Sequence, residues 1–434
     1  MRTRHCPGDV GAGVVDRDRV AAAVARRPSL GDDQAEMVRR IATSGAGVEV
    51  VVGKAGAGKT FALDAAREAW QSAGYEVIGT ALAARAAAEL QDGSGIPSGT
   101  LHGLLDHFRR GMELNSRTVV VVDEAGMVGT RQLASLIDHC AAARAKLVLV
   151  GDPYQLPAIE AGGLFHGLVN RLPAVELTEN RRQHATWERA ALDELRSGDP
   201  STAINAYNEH DRIVTADNAE ALRDRLVGDW WLARAEHGAD STIMIAARRS
   251  DVADLNARAR LRMKAAGRLI GPELTANDRS FQAGDEVVCL RNDRRLGVLN
   301  GTRATVTSVD VAERTLAFST RGGPSIAVPA AYLHAGHLAH GYAITGHKAQ
   351  GMTADRAFVL GADTIYREWG YVSMSRGRGI NRLYAVADGL DVGETHEPSP
   401  RRRAPRRPLA LVHALRRVER TSLAVERGDP EIAR

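Results

Sequence analysis

The stretch VEVVVGKAGAGKTFAL, residues 48–63, constrains this chain more than any other. It carries the spacing GxxxxGK[ST], with Gly53, Gly58, Lys59 and Thr60 in the fixed places. Such a spacing makes an anion site only when a strand leads in and a helix leads out, because the loop amides and the helix N-terminus hold the phosphate together. Both flanks are present. VEVVV is a buried-type strand, and TFALDAAREAWQSA is an alanine-rich helix ended by Gly74. Gly56 and Gly58 let the backbone curl where a Cβ would block a phosphate. Lys59 is then the contact to the β and γ phosphates of a nucleotide, and Thr60 a Mg²⁺ ligand.

The loop sits in a longer alternation of strand and helix. From about residue 30 to 175 the apolar runs VEVVV, YEVIGT, TVVVVDEAGM and AKLVLVGD are separated by alanine-rich helices. Near-continuous apolar strands joined by helices predict an α/β fold with a parallel sheet covered on both faces. A chain of 434 residues exceeds one ordinary core. A second α/β domain is expected over 176–280 and 334–395, with AVELTEN, DRIVTA, STIMIAA, DRAFVL and NRLYAVA as its strands. Between its halves, DEVVCLRND, GTRATVTSVD, RTLAFST and PSIAVPA are short strands parted by turns, which predict a small inserted SH3-like β-barrel over 281–333. Residues 1–29 are expected to be an N-terminal extension, and 396–434, with PSPRRRAPRRP, a basic disordered tail.

Composition excludes some chemistries. No stretch approaches the length of a membrane span and the start lacks an apolar h-region, so a cytoplasmic protein is expected. Cys6, Cys140 and Cys289 are far apart, which argues against a zinc site and a disulfide framework. The net charge of +4 fits a surface that meets phosphate but decides nothing alone.

Two further segments complete a catalytic centre. VVVVDEAGM places Asp123 and Glu124 at the end of a buried strand, and ligands of open parallel sheets bind at the carboxyl ends of strands. Asp123 is expected to hold Mg²⁺, and Glu124 to orient or deprotonate the attacking water. In VGDPYQLPAIEAGG, Gln155 is placed to sense the γ-phosphate.

The ordered set GKAGAGKT, DEAGM, GDPYQLP, LTENRR, GYAITGHKAQGMT and YVSMSRGR resembles the motif series of superfamily 1 DNA helicases of the RecD-like branch. It is most similar to the helicase portion of conjugative relaxases of the TraA and TrwC kind. The resemblance covers about residues 30–390. It implies two RecA-like domains, ATP as the nucleotide, single-stranded DNA as the track and 5′ to 3′ travel. It assigns adenine reading to Gln34, and γ-phosphate contacts to Arg181 and Arg376, with Arg182 adjacent to the first. It assigns DNA-backbone contacts to Arg85, Thr100, His102, Thr345, His347, Lys348 and Gln350. A relaxase nuclease or other conjugation proteins are the implied partners.

The sequence departs from that pattern in three places. Thr353 in QGMTADR stands where related motors often carry a glutamate. The segment between TLHGLL and VVVVDE, where relatives carry a strand-splitting hairpin, is only DHFRRGMELNSR. The histidine cluster of a relaxase nuclease would be expected upstream of residue 30, where His5 alone cannot make a three-histidine metal site. An inactive DNA-binding platform on the same fold is the competing expectation. It has no need of Lys59, Thr60, Asp123, Glu124, Gln155, Arg181 and Arg376 together.

Overall fold

The computed structural model describes residues 11–158, 163–320, 323–387 and 409–419, which fall into two compact units, one of the residues up to Arg182 with Glu419 and one running from Gln183 to Val418. The first unit's strands are β1 (Val48–Gly53), β2 (Glu76–Ala81), β3 (Ser98–Thr100), β4 (Thr118–Val122), β5 (Lys146–Gly151) and β6 (Ala174–Leu177). Its helices are α1 (Arg17–Ala25), α2 (Asp32–Thr43), α3 (Lys59–Ser72), α4 (Ala84–Ser94), α5 (Leu101–Arg109), α6 (Thr130–Ala143) and α7 (Leu164–Val169). Among the described residues these strands make one parallel sheet in the order β3-β2-β4-β5-β1-β6.

The strands read as unbroken apolar runs because both faces are covered. Val119 and Val121 of β4 join Val51, Val148 and Val150 in a core with α2 and α3. The intervening Val120 and Val122 join Val50, Leu147 and Leu149 in a second core with α5 and α6.

Two boundaries differ from expectation. The chain before residue 30 belongs to the first unit, since Val15, Val20 and Ala23 are buried in its core and the Trp70 indole donates to Gly13 O at 3.0 Å. Lys146, wholly buried at the start of β5, anchors the same segment by donating to the carbonyls of Ser44 at 2.6 Å and Ala12 at 3.2 Å. At the other end, AVEL closes the first sheet instead of opening the second. β6 pairs in parallel with β1, Glu176 opposite Val52, and so covers an edge whose backbone groups would otherwise be unpaired.

In the second unit β7 (Ile213–Ala216) and β8 (Thr242–Ala246) precede an insertion. The insertion comprises an antiparallel hairpin, β9 (Ile270–Ala276) and β10 (Arg279–Ala283), then β11 (Glu286–Cys289), β12 (Arg303–Asp310), β13 (Thr315–Ser319), β14 (Ser325–Val328) and β15 (Leu338–His340). The last five form an antiparallel sheet in the order β14-β13-β12-β11-β15. Leu274, Phe281, Val287, Phe318 and Leu338 share one core, so the insertion spans 270–340, wider than the expected 281–333. The wholly buried Asp285 ties it down by accepting from the Tyr342 hydroxyl at 2.7 Å and Arg260 Nε at 3.1 Å.

After the insertion come β16 (Ala343–Thr345), β17 (Ala354–Leu360) and β18 (Gly377–Val386). Among the described residues they complete a parallel sheet in the order β16-β8-β17-β18-β7. The helices of this unit are α8 (Thr186–Ser197), α9 (Pro200–Glu209), α10 (Ala219–His237), α11 (Arg249–Ala265), α12 (Ala330–His334), α13 (Gly346–Ala349), α14 (Arg367–Met374) and α15 (Leu409–Arg416). α15 falls inside the stretch expected as a disordered tail, yet Leu411, Ala414 and Leu415 are buried. The rest of that stretch, apart from 417–419, lies outside the described residues, as do His5 and Cys6. No described helix is long and apolar enough to cross a membrane.

Candidate nucleotide and DNA sites

The phosphate loop forms as its spacing dictates. β1 ends at Gly53, α3 starts at Lys59, and Gly56 (φ +81°) and Gly58 (φ +72°) take left-handed conformations that glycine adopts without strain. A Cβ on Gly53 would fall 2.7 Å from Lys59 Cγ, so the lysine stem folds back over the loop, and its ammonium donates to Gly53 O at 3.1 Å. Thr60 lies with its methyl against Gly93 of α4.

Gln34 reaches this loop from the start of α2. It is buried at 1% exposure, and its side-chain nitrogen donates to Ala57 O at 3.0 Å and Gly58 O at 3.1 Å. Its oxygen accepts from Gly31 N at 3.0 Å. Arg181 joins from beyond β6: its backbone N–H donates to Gly56 O at 3.0 Å and its guanidinium to Ala57 O at 3.3 Å and to Asp33 at 2.7 Å, with Glu179 a further ion partner. Asp33 also accepts from the amides of Thr178 and Glu179 at 3.1 and 3.2 Å. Burial opposes its charge, but the Arg181 hydrogen bond and charge, with the amides of Glu179 and Gln34, outweigh it and hold the carboxyl below its usual range. Arg182 N donates to Asn180 Oδ1 at 3.0 Å, and a Cβ on Gly56 would fall 2.5 Å from Arg182 Cβ.

The acidic pair closes the first site. Asp123 follows β4 and Glu124 takes a left-handed backbone (φ +50°), strained for a residue other than glycine. Asp123 keeps some exposed surface, but its carboxyl lies among protein atoms. Burial first and the like charge of Glu124 second push it up to about 6, against the pull of Lys59. Gln155, after β5, is buried at 4% and its backbone N–H donates to Asp152 O at 3.2 Å. Among the described residues no group of three or more His, Cys, Asp or Glu gathers into a metal site.

Arg376 belongs to the second unit and is 2% exposed. Its guanidinium donates to the carbonyls of Val372 at 2.6 Å, Met352 at 3.2 Å and Ala349 at 3.4 Å, and to Ser375 Oγ at 2.7 Å. Two residues that the sequence reading did not single out hold this turn. Gln183 Nε2 donates to Ser375 O at 3.0 Å and Gly377 O at 2.7 Å. Asn381 accepts from Gly377 N at 2.7 Å and donates to Glu188 at 2.9 Å. Their only signal in sequence was position, beside ENRR and after SRGRG.

The residues assigned to DNA sit on turns and helix starts. Arg85 pairs with Glu89 at 2.9 Å on α4, Thr100 caps α5 by accepting from Gly103 N at 3.1 Å, and the exposed His102 lies 3.4 Å from Asp106. In the second unit Thr345 caps α13, accepting from Lys348 N at 3.4 Å, and His347 is exposed. Burial first, then the charges of Arg249 and Arg279, lower the Lys348 pKa. The chain from α5 to β4 passes from Arg109 to Thr118 without an intervening strand pair.

Known proteins resemble this chain in sequence and in fold. The AAA domain family matches residues 29–218. The conjugal transfer protein TraA of Rhizobium radiobacter is 40% identical over 369 residues, 84% of this chain and 33% of that protein. The chain is similar to TraA over most of its own length. The ATP-dependent RecD2 DNA helicase of Deinococcus radiodurans is 26% identical over 370 residues, 81% of this chain and 48% of that one. The fold is that of a Bacteroides Pif1 structure bound to single-stranded DNA, with a TM-score of 0.56 at 18% identity, covering 82% of this chain and 92% of that one. The relationship agrees with the resemblance read from the motifs. The chain spans about a third of the length of the curated TraA relatives it matches.

Proposed function

We propose that this chain is an ATP-driven translocase on single-stranded DNA, moving 5′ to 3′ and serving DNA transfer in conjugation beside a relaxase nuclease or other transfer proteins. The observation that carries the reading is the glycine loop from β1 into α3, with Gly56 and Gly58 left-handed and Lys59 folded over it, near enough to the Asp123–Glu124 turn that Lys59 and Glu124 both act on the Asp123 carboxyl. The Asp123 carboxyl, raised by burial first and by the like charge of Glu124 second, fits a divalent cation, whose charge would favour its ionised form. Thr60 and Asp123 would hold Mg²⁺, which would supply positive charge against the phosphates.

The chain's own residues do the rest. Loop amides from Gly53 to Thr60 cradle the phosphates and Lys59 neutralises the β and γ groups. Gln34 faces the adenine, Gln155 senses the γ-phosphate, and Glu124 takes a proton from the attacking water. Arg181, released from Asp33 by the stronger charge of the triphosphate, and Arg376 stabilise charge on the transferring phosphoryl group. Arg85, Thr100, His102, Thr345, His347, Lys348 and Gln350 track the DNA backbone. The insertion is an SH3-like barrel whose Arg291, Arg294 and Arg295 add phosphate contacts, and the protein works in the cytoplasm.

The test is Mg²⁺-dependent ATP turnover with and without single-stranded DNA. Stimulation by DNA of any sequence, weakening as salt rises, is expected. Turnover indifferent to DNA, with tight binding to one sequence, would return the case to a binding platform.

A further inference from the structure

α14 grips the Thr345–Gln350 turn at two places. At its C-terminal side the Arg376 guanidinium donates to the carbonyls of Ala349 and Met352, which bracket Gln350. On its body, Trp369 lies against Gly346, the first residue of α13. The approach is so close that a Cβ on Gly346 would fall 2.8 Å from the indole Cε2 and 2.9 Å from Cδ1. Trp369 is 2% exposed, and its indole N–H is buried without a hydrogen-bond partner among the described residues.

A buried N–H without an acceptor is unfavourable, and here it faces backbone that carries carbonyls. A small shift of the turn that brings a carbonyl onto the indole is therefore favoured by Trp369. The Arg376 bonds to Ala349 and Met352 oppose that shift by holding the turn where it stands. When a phosphate draws Arg376 away, those carbonyls lose their donor and the turn moves toward the indole.

We propose that Trp369 is a positioning residue that passes the state of Arg376 to the Thr345–Gln350 turn, with Gly346 as its bearing surface. The inference rests on the functional reading above, in which that turn meets DNA and Arg376 meets the γ-phosphate. It gives the two sites one two-state element, which is what energetic coupling requires.

The experiment compares wild type, Trp369→Phe and Gly346→Ala for ATP turnover with and without a homopolymeric single strand, KM for ATP, DNA affinity without nucleotide, and thermal midpoint. Phenylalanine keeps an apolar ring and removes the N–H; alanine forces the ring and the turn apart. Trp369→Phe should reduce the DNA stimulation of kcat by about five-fold or more, while KM for ATP and DNA-free turnover stay within about two-fold. Gly346→Ala should lose stimulation likewise, and it decides the matter by that ratio if Trp369→Phe folds poorly. Full stimulation in both variants, or equal loss with and without DNA together with a lower midpoint, overturns the inference while leaving the functional reading in place. A wild type that ignores DNA overturns that reading and the inference with it.

Discussion

The side-chain nitrogen of Gln34 and the carbonyl oxygen of Ala57 are joined by a hydrogen bond of 3.0 Å, which hangs the phosphate loop from the start of α2. With Gly58 O engaged as well, the amide nitrogen of Gln34 supports the loop, while its oxygen accepts from Gly31 N and caps α2. Gln34→Ala should lower stability by about 1–3 kcal/mol, because buried carbonyls lose their donor. It should also erase the preference for ATP over GTP, read as the ratio of their KM values. A weaker loop with an unchanged ratio would make Gln34 a strut and not an adenine reader.

Glu124→Gln should bind nucleotide and DNA normally and lose turnover by about 10²-fold or more, since the amide keeps the shape but takes no proton. Single-turnover hydrolysis checks it. Normal hydrolysis would mean that another group positions the water, and the strained backbone at Glu124 would need a different reason.

Asp33→Asn should leave Arg181 without its main ion partner inside the first unit. Loss of that partly buried pair should cost about 1–3 kcal/mol in denaturant unfolding. If the pair also restrains Arg181, the KM for ATP should fall. A raised KM would show that Asp33 positions the arginine for nucleotide instead of competing for it.

Much of the first site was legible because its parts are local. The phosphate loop needs one strand, one turn and one helix start, and all are contiguous in residues 48–63. Partners that arrive from distant segments were hidden: Asp33 meets Arg181 across 148 positions, and Gln183 meets Gly377 across 194. Alternation located AVEL as a strand but could not say which sheet it joins, since pairing with β1 is a tertiary fact. The insertion was read short for a similar reason. β9 opens with four exposed positions and buries Leu274 and Ala276 at its end, too little alternation to announce a strand, and the shared core with Phe281 and Leu338 assigns it.

Glu188 supplies a pH test. Burial raises its carboxyl above the usual range, against hydrogen bonds from Asn381 and the Tyr207 hydroxyl. A carboxyl raised on folding holds its proton more tightly in the folded state. Its stabilising contribution is full below the unfolded pKa of about 4.3 and is lost as pH rises through the folded value. Glu188→Gln should therefore compare best with wild type near pH 8 and lose that advantage toward about pH 4, in thermal melts across that window. A difference independent of pH would mean that Glu188 stays charged, held by Arg212.

The central claim, that ATP hydrolysis moves this chain along a single strand, is tested most directly by displacement of a protein block from single-stranded DNA. Wild type with ATP and Mg²⁺ should clear a block at the 3′ end of the track, while Lys59→Ala binds the strand and clears nothing, because the γ-phosphate charge is left unbalanced at the loop. Equal clearance by wild type and Lys59→Ala, or none by wild type while it turns over ATP, would contradict the account.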